Sequence, residues 1–181
     1  MELLEKYKGV EIYILDKETG NKYSKEIVEL LNQIPLTHHT SEDIIAEKKE
    51  GRIFYGKWEY SMIAFLDNEP VGVLLGYERA KEENEIYPEN SFYINEIAVS
   101  KTVKGKALGK HLIELFIRRA ENFLYLDGEV AIKIQTADLK ENIKVIELYE
   151  KIGFRKIGIK NYPLKNDLVM KLDKNIYYNK R

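Results

Sequence analysis

The sequence predicts an α+β fold in a single domain, a mixed sheet of about seven strands with helices on both faces. Three observations predict it. A chain of 181 residues, 44% hydrophobic and 33% charged, has the size of one domain around one core. No internal repeat, low-complexity segment or linker rich in Gly, Pro or Ser divides it. Its apolar spacing alternates between two, the period of a half-buried strand, and 3.6, the period of a helix. The order is strand, two helices, hairpin, then strand, helix, strand, helix and two strands.

Each element has its own signal. "VEIYIL" at 10–15 has the length and β-branched content of a first strand. "SKEIVELLNQI" opens on an N-cap residue, Ser24, repeats apolar residues at helical spacing and ends before Pro35. "TSEDIIAEKKEG", 40–51, reads as a short helix stopped by Gly51. "YSMIAFL" and "VGVLLGY" flank "DNEP", a turn sequence, which predicts an antiparallel hairpin over 60–77. The acidic run 78–90 reads as a solvated loop. The strand "SFYINEIAV", 91–99, the loop "SKTVKG" and a helix from Ala107 to Leu124 follow, with Leu108, Leu112, Leu115, Phe116 and Phe123 on one helix face. The strand "EVAIKIQT", 129–136, completes a right-handed crossover between parallel strands. A helix from Asn142 stops at Gly153. The strand "FRKIGI" and a last strand at 167–172 close the core, leaving 173–181 as a polar tail.

Composition excludes several classes of function. The 29 basic and 30 acidic side chains nearly cancel, so no overall field gathers nucleic acid or an anionic membrane, and neither is an expected partner. No run reaches the roughly 18 apolar residues of a membrane span, and "MELLEKYKGV" lacks a signal-peptide pattern, so a cytoplasmic protein is expected. The absence of cysteine excludes disulfides, thiolate metal sites and a cysteine acyl-enzyme. Three histidines, two of them adjacent at His38 and His39, do not suggest a metal cage, and no metal is expected.

The loop within "VSKTVKGKALGKHLIELF", 99–116, has the makings of an anion site. A helix begins at its end, and the first free N–H groups and the helix dipole favour a negative group. Gly105 and Gly109, with the small Ala107 between them, let a ligand approach the backbone. Lys101, Lys104, Lys106 and Lys110 add positive charge where the dipole alone disfavours it. A solvated basic turn is the competing reading. Spacing removes two nucleotide sites: Gly105 and Gly109 enclose three residues where a Walker loop needs four, and the dinucleotide fingerprint G-x-G-x-x-G is absent.

The pattern resembles the pyrophosphate loop of the GNAT superfamily of acyl-CoA-dependent N-acetyltransferases, whose signature is Arg or Gln, two residues, Gly, one residue, Gly or Ala. Lys104 stands at the first position, Ala107 at the second, and Gly109 matches the third. "DNEPVGVLLGYER" resembles the family's central hairpin. "NIKVIELYEKIGFRKIG" resembles its late helix and strand, with Asn142, Leu148, Tyr149, Gly153 and Phe154 in register and Val145 in place of the usual Ala. The resemblance covers about residues 8–172.

It implies a mostly antiparallel sheet whose central parallel pair, 91–99 and 129–136, splays apart around the pantetheine arm of coenzyme A. It implies acetyl-CoA as cosubstrate, lying along Ile97, Ala98 and Val99. The backbone of Ile97 and Val99 would bond the pantetheine and the acetyl carbonyl, with the Val99 N–H stabilising the oxyanion. Lys104 and the N–H groups of Gly105, Lys106, Ala107, Leu108, Gly109 and Lys110 would take the pyrophosphate. It implies direct transfer to a primary amine of an unidentified small molecule or protein.

Tyr149 resembles the family's thiolate-protonating tyrosine, although Val145, Leu148, Tyr149 and Ile152 also share a core-like helix face. Glu96, on one strand face with Ile94 and Ala98, is the candidate base, or a carboxylate that only binds substrate. Asn142 bonds the cofactor arm, caps its helix, or both. His38 and His39 fall in the acceptor-side segment and read as substrate contacts or, more simply, as a surface turn. Dimerisation through the last strands is common in the family, and nothing in the sequence specifies it. A catalytically silent acyl-CoA-binding or interaction module of the same fold is the alternative to an enzyme.

Overall fold

In the computed structural model, which describes residues 1–34, 37–103, 105–120 and 130–179, the chain opens with a hairpin. Lys8 (φ 50°) and Gly9 (φ 82°) are both left-handed, the backbone of a two-residue type I′ turn, and they fold β1 (Leu3–Tyr7) onto β2 (Val10–Ile14). Only β2 is expected from the sequence. The chain divides into two compact units, Met1–Tyr77 with Asn95–Tyr125, and Glu78–Ile94 with Leu126–Arg181.

In the first unit β1, β2, β5 (Met62–Leu66) and β6 (Glu69–Arg79) form an antiparallel ladder in that order. Asp67 (φ 51°) and Asn68 (φ 66°) turn β5 into β6, so "DNEP" supplies a two-residue turn, and Glu69 and Pro70 already lie in the strand. The period of two along β6 decides what covers each face. Val73 and Leu75 join Leu15, Phe65 and Ala98 in a core cluster with Ile27, Leu30 and Leu31 of α2 (Ser24–Leu31) and Ile44 of α3 (Ser41–Ile45). Gly72 and Gly76 face the other way. A Cβ on Gly72 would lie 3.2 Å from Leu108, and one on Gly76 would lie 2.2 Å from Phe116, both residues of α5 (Leu108–Ala120). Helices therefore cover both faces. Burying a side chain such as Leu112 or Phe116, each fully buried, contributes about 1.5–3 kcal/mol.

The segment expected as one helix over 40–51 is a helix and a hairpin. A capping box of Thr40 and Asp43 starts α3, and Ala46 is already extended. β3 (Lys48–Lys49) and β4 (Arg52–Ile53) then pair across Glu50 and Gly51, both at positive φ, so Gly51 makes a turn rather than a helix stop. Two short helices are additions to the expected order, α1 (Lys17–Lys22) and α4 (Lys57–Tyr60).

In the second unit the start of β7 (Ser91–Val99) pairs in parallel with β8 (Ala131–Ala137), from Ser91 opposite Ala131 to Ile94 opposite Ile134, and β7 continues to Val99. β10 (Asn166–Leu172) lies between β8 and β9 (Phe154–Asn161), antiparallel to both. With β7 and β8 the only parallel neighbours described, the architecture is mixed and mostly antiparallel. The acidic run before β7 is tied down rather than simply solvated. Asn84 donates to the carbonyls of Ala80 and Glu89, and the buried Lys133 donates to the Tyr87 carbonyl and pairs with Glu89 at 3.0 Å. α6 (Ile143–Ile152) ends at Gly153 as expected. The expected polar tail is instead the short helix α7 (Lys174–Asn179), held because Tyr177 buries itself against Gly153. The expected end of α5 at 121–124 and the start of β8 at 129 fall outside the described residues.

Candidate active site

Beyond Val99 the Ser100 N–H donates to the Val71 carbonyl at 2.8 Å, and Lys101–Val103 make one 3₁₀ turn anchored by the buried Val103. Gly105 (φ 88°) and Ala107 (φ 58°) are both left-handed, and α5 begins at Leu108. The first turn of a helix leaves its N–H groups without intrahelical acceptors, so those of Leu108, Gly109 and Lys110 are available to a ligand. A Cβ on Gly109 would meet Val99 at an ordinary 3.6 Å, so packing does not require glycine there. At Ala107 the backbone does favour it, because a left-handed alanine costs about 1 kcal/mol that glycine avoids. Ala107→Gly is expected to stabilise the protein by about 1 kcal/mol, read as a raised urea midpoint, and Ala107→Val to lower it.

The loop's lysines are partly committed. Lys110 pairs with Glu114 at 3.7 Å. Lys106 donates to the Lys8 carbonyl at 2.9 Å while Lys8 donates to the Lys106 carbonyl at 3.3 Å. Lys8, from the first turn, thus joins the basic loop, and no local sequence signal announces it. Lys104 lies outside the described residues.

A second feature of the first unit is a cavity of about 260 Å³. Leu75, Tyr77, Asn95 and Glu96 line it from the strands, and His39, Asp43 and Ile44 from α3 and its approach. Lys49, Glu50 and Arg52 come from the β3–β4 hairpin, with Phe54 and Lys57 beyond it. Ala98, on the Glu96 face of β7, packs in the core, whereas the Glu96 side chain is 21% exposed and lines the cavity. Its Oε1 is 3.6 Å from His39 Nε2, so His39 is a cavity residue and not a surface turn. Burial lowers the His39 imidazole below its ordinary value. The Lys49 ammonium, 2.7 Å from Asp43, holds that carboxyl down at about 2.

Lys57 is 4% exposed and donates to the carbonyls of Ile44 and Ala46 at the end of α3. Burial lowers its ammonium to about 8 from 10.5. Between those values the unfolded chain binds more protons than the folded one, so this group's contribution to stability rises with pH from about 8 to 10.5. The stability difference between the wild type and Lys57→Met is expected to shift in favour of the wild type from pH 8 to 10, measured by urea unfolding at each pH.

The remaining candidates belong to the second unit. Tyr149, 4% exposed, lies on α6 with its ring tilted against Phe154 at 6.2 Å. Asn142 stands at the N-cap of α6 but makes no side-chain capping bond, and its Nδ2 donates to the Ala137 carbonyl at 3.1 Å. Among the described residues no group of three or more His, Cys, Asp or Glu is arranged to hold a metal, and no helix is long and apolar enough to cross a membrane.

Known proteins bear on these features. Comparison with curated proteins finds no match. The NatC complex bound to Gag peptide and CoA contains a chain with TM-score 0.67 and 19% identity, over 95% of this chain and 98% of that one. The ribosomal-protein-S18-alanine N-acetyltransferase from Escherichia coli gives 0.61 and 15% over 90% and 92%. Arabidopsis thaliana Naa50, in complex with the bisubstrate analogue CoA-Ac-MVNAL, gives 0.64 and 15% over 91% and 99%. At such identities the likeness is one of fold. The sequence pattern of the acetyltransferase (GNAT) family, however, matches residues 24–154, from the start of α2 to the start of β9, and the chain belongs to the GNAT acetyltransferase family.

Proposed function

We propose that this chain is an N-acetyltransferase, one cytoplasmic catalytic domain over residues 1–181, that moves the acetyl group of acetyl-CoA directly to a primary amine of a small molecule or protein. The observation that carries the reading is the loop at 105–110, where two left-handed residues lead from a strand into the start of a 13-residue helix in a chain of this family. A pyrophosphate accepts from the N–H groups of Gly105 and of Ala107 to Lys110, with Lys104 adding charge, whereas the Lys106 N–H already donates to the Val103 carbonyl at 3.2 Å. Ile97, Ala98 and Val99 run beside the pantetheine, which calls for β7 and β8 to part beyond Ile94. Support for the cosubstrate and for peptide amines as acceptors comes from the CoA and peptide ligands of the similar structures.

Glu96 receives the acceptor's ammonium, the Val99 N–H stabilises the oxyanion as the carbon–nitrogen bond forms, and Tyr149 protonates the departing thiolate. Asn142, one N–H of its Nδ2 given to the Ala137 carbonyl, offers its side-chain oxygen to the cofactor arm.

Acetyl-CoA at a hundred times its dissociation constant is expected to stabilise the protein by about 2.7 kcal/mol, visible as a raised melting temperature. Failure to bind any acyl-CoA at millimolar concentration overturns the reading. Thiol release is then followed with spermidine, L-lysine, kanamycin and the peptide Met-Val-Asn-Ala-Leu. Binding without thiol release across that panel favours the silent module.

A further inference from the structure

The cavity of the first unit holds a group that the proposed mechanism leaves idle. His39 Nε2 is buried without a hydrogen-bond partner, 3.6 Å from Glu96 Oε1. That separation is too long for a hydrogen bond, and a buried polar atom without one is costly enough to need an explanation. The histidine is nevertheless held in place. Asn32 grips its backbone from both sides, accepting from the His39 N–H at 2.8 Å and donating to the His39 carbonyl at 3.3 Å. The next residue, Thr40, starts α3 with a capping box. An imidazole nitrogen carried on that held backbone and a carboxylate, 3.6 Å apart at a cavity wall, match a primary ammonium, which has more than one N–H to donate.

We infer that His39 is the proton acceptor of the transfer reaction and that Glu96 holds the acceptor's ammonium against it. The inference rests on the acetyl-transfer reading and names the site where the amine is deprotonated. The ammonium donates one N–H to Glu96 and another to His39 Nε2. His39 takes the second proton, and Glu96 stabilises the resulting imidazolium. The freed lone pair forms the C–N bond, and the C–S bond breaks. Of the ammonium's three protons, one stays on the amide and one leaves through His39 to solvent. The third leaves nitrogen as the intermediate collapses and balances the proton taken up by the thiolate.

Burial disfavours the imidazolium, so at neutral pH the imidazole is neutral and its free nitrogen can accept a proton. Asp43 opposes that shift and Lys49 reinforces it. Glu50, Arg52, Lys57 and Glu96 are the other charged groups lining the cavity, with the Tyr77 hydroxyl beside them.

The test is NMR of protein labelled with ¹³C and ¹⁵N in histidine, the His39 signal being the one lost in His39→Gln. The expected result is an unprotonated Nε2 at pH 7.5 and a midpoint below 6.5 that falls by about half a unit or more in Glu96→Gln. Ethylammonium chloride is expected to shift the signal in the wild type and not in Glu96→Gln. A proton on Nε2 at that pH, or a signal indifferent to both Glu96 and ethylammonium, overturns the inference. With any amine of the panel that is acetylated, His39→Gln lowers kcat about 100-fold and removes the acidic limb of the pH profile while acetyl-CoA still binds. An unchanged rate and limb also overturn it. If the wild type binds no acetyl-CoA, the acetyl-transfer reading fails while the NMR result for the pair stands, so the two failures are distinct.

Discussion

Tyr149→Phe is expected to slow acetyl transfer about 100-fold while leaving acetyl-CoA affinity within about twofold. The substitution keeps the ring, and with it the contact to Phe154 and the burial on α6, so packing changes little. What it removes is a proton. Without a donor for its departing thiolate, the tetrahedral intermediate expels the amine and returns to thioester or waits for water, and the loss falls on kcat rather than on cosubstrate binding. Thiol release at saturating acetyl-CoA, with calorimetric titration of acetyl-CoA alongside, separates the two quantities. A wild-type rate in Tyr149→Phe would assign the residue to the core face that its spacing with Val145, Leu148 and Ile152 also describes.

Gly76→Ala is expected to cost about 3 kcal/mol of stability, although it adds a single methyl group. The new Cβ would stand 2.2 Å from Cε2 of Phe116. That ring is fully buried, with Tyr60 edge-on at 6.1 Å, so it has no room to retreat. Phe116→Leu alone leaves a cavity and also destabilises. In the double variant the smaller side chain makes room for the methyl, and the combined loss is expected to fall below the sum of the two single losses by at least about 1 kcal/mol. Urea midpoints of the four proteins give that coupling. Strict additivity would mean that the helix moves away from the strand instead of the side chains competing for one space.

The course of the chain from β7 to α6 was legible because its signals are local. The strand alternates, the loop carries its glycines and lysines within a few residues, and α5 and α6 repeat apolar positions at helical spacing. The first half hid its elements behind residues in unusual settings. β1 contains Glu5 and Lys6 and turns at a left-handed Lys8, which is not a turn residue by propensity. α1 carries Gly20 in its interior, where a Cβ would lie 3.0 Å from the Trp58 ring, so a residue that reads as a helix breaker is there to admit a tryptophan. Gly51 signalled an ending correctly but of the wrong kind, since Glu50 shares its left-handed conformation and the two make a hairpin turn. The meeting of His39 with Glu96 had no sequence signal at all. It depends on where α3 is set against β7, and that is fixed by Ile44 and Ala98 in one apolar cluster, not by any motif.

The exchange between Lys8 and Lys106 links two distant stretches of backbone. Each ammonium ends on the other residue's carbonyl, so neither bond neutralises charge, and the positive potential at the loop stays intact in a chain whose formal net charge is −1. On the proposed reading an arriving diphosphate competes for the same two ammonium groups, and each one it captures releases a carbonyl on the opposite side of the clasp. Occupancy of the loop is thereby transmitted to the amino-terminal turn, and amide exchange around Lys8 and Gly9 should quicken as exchange around Gly105 to Ala107 slows.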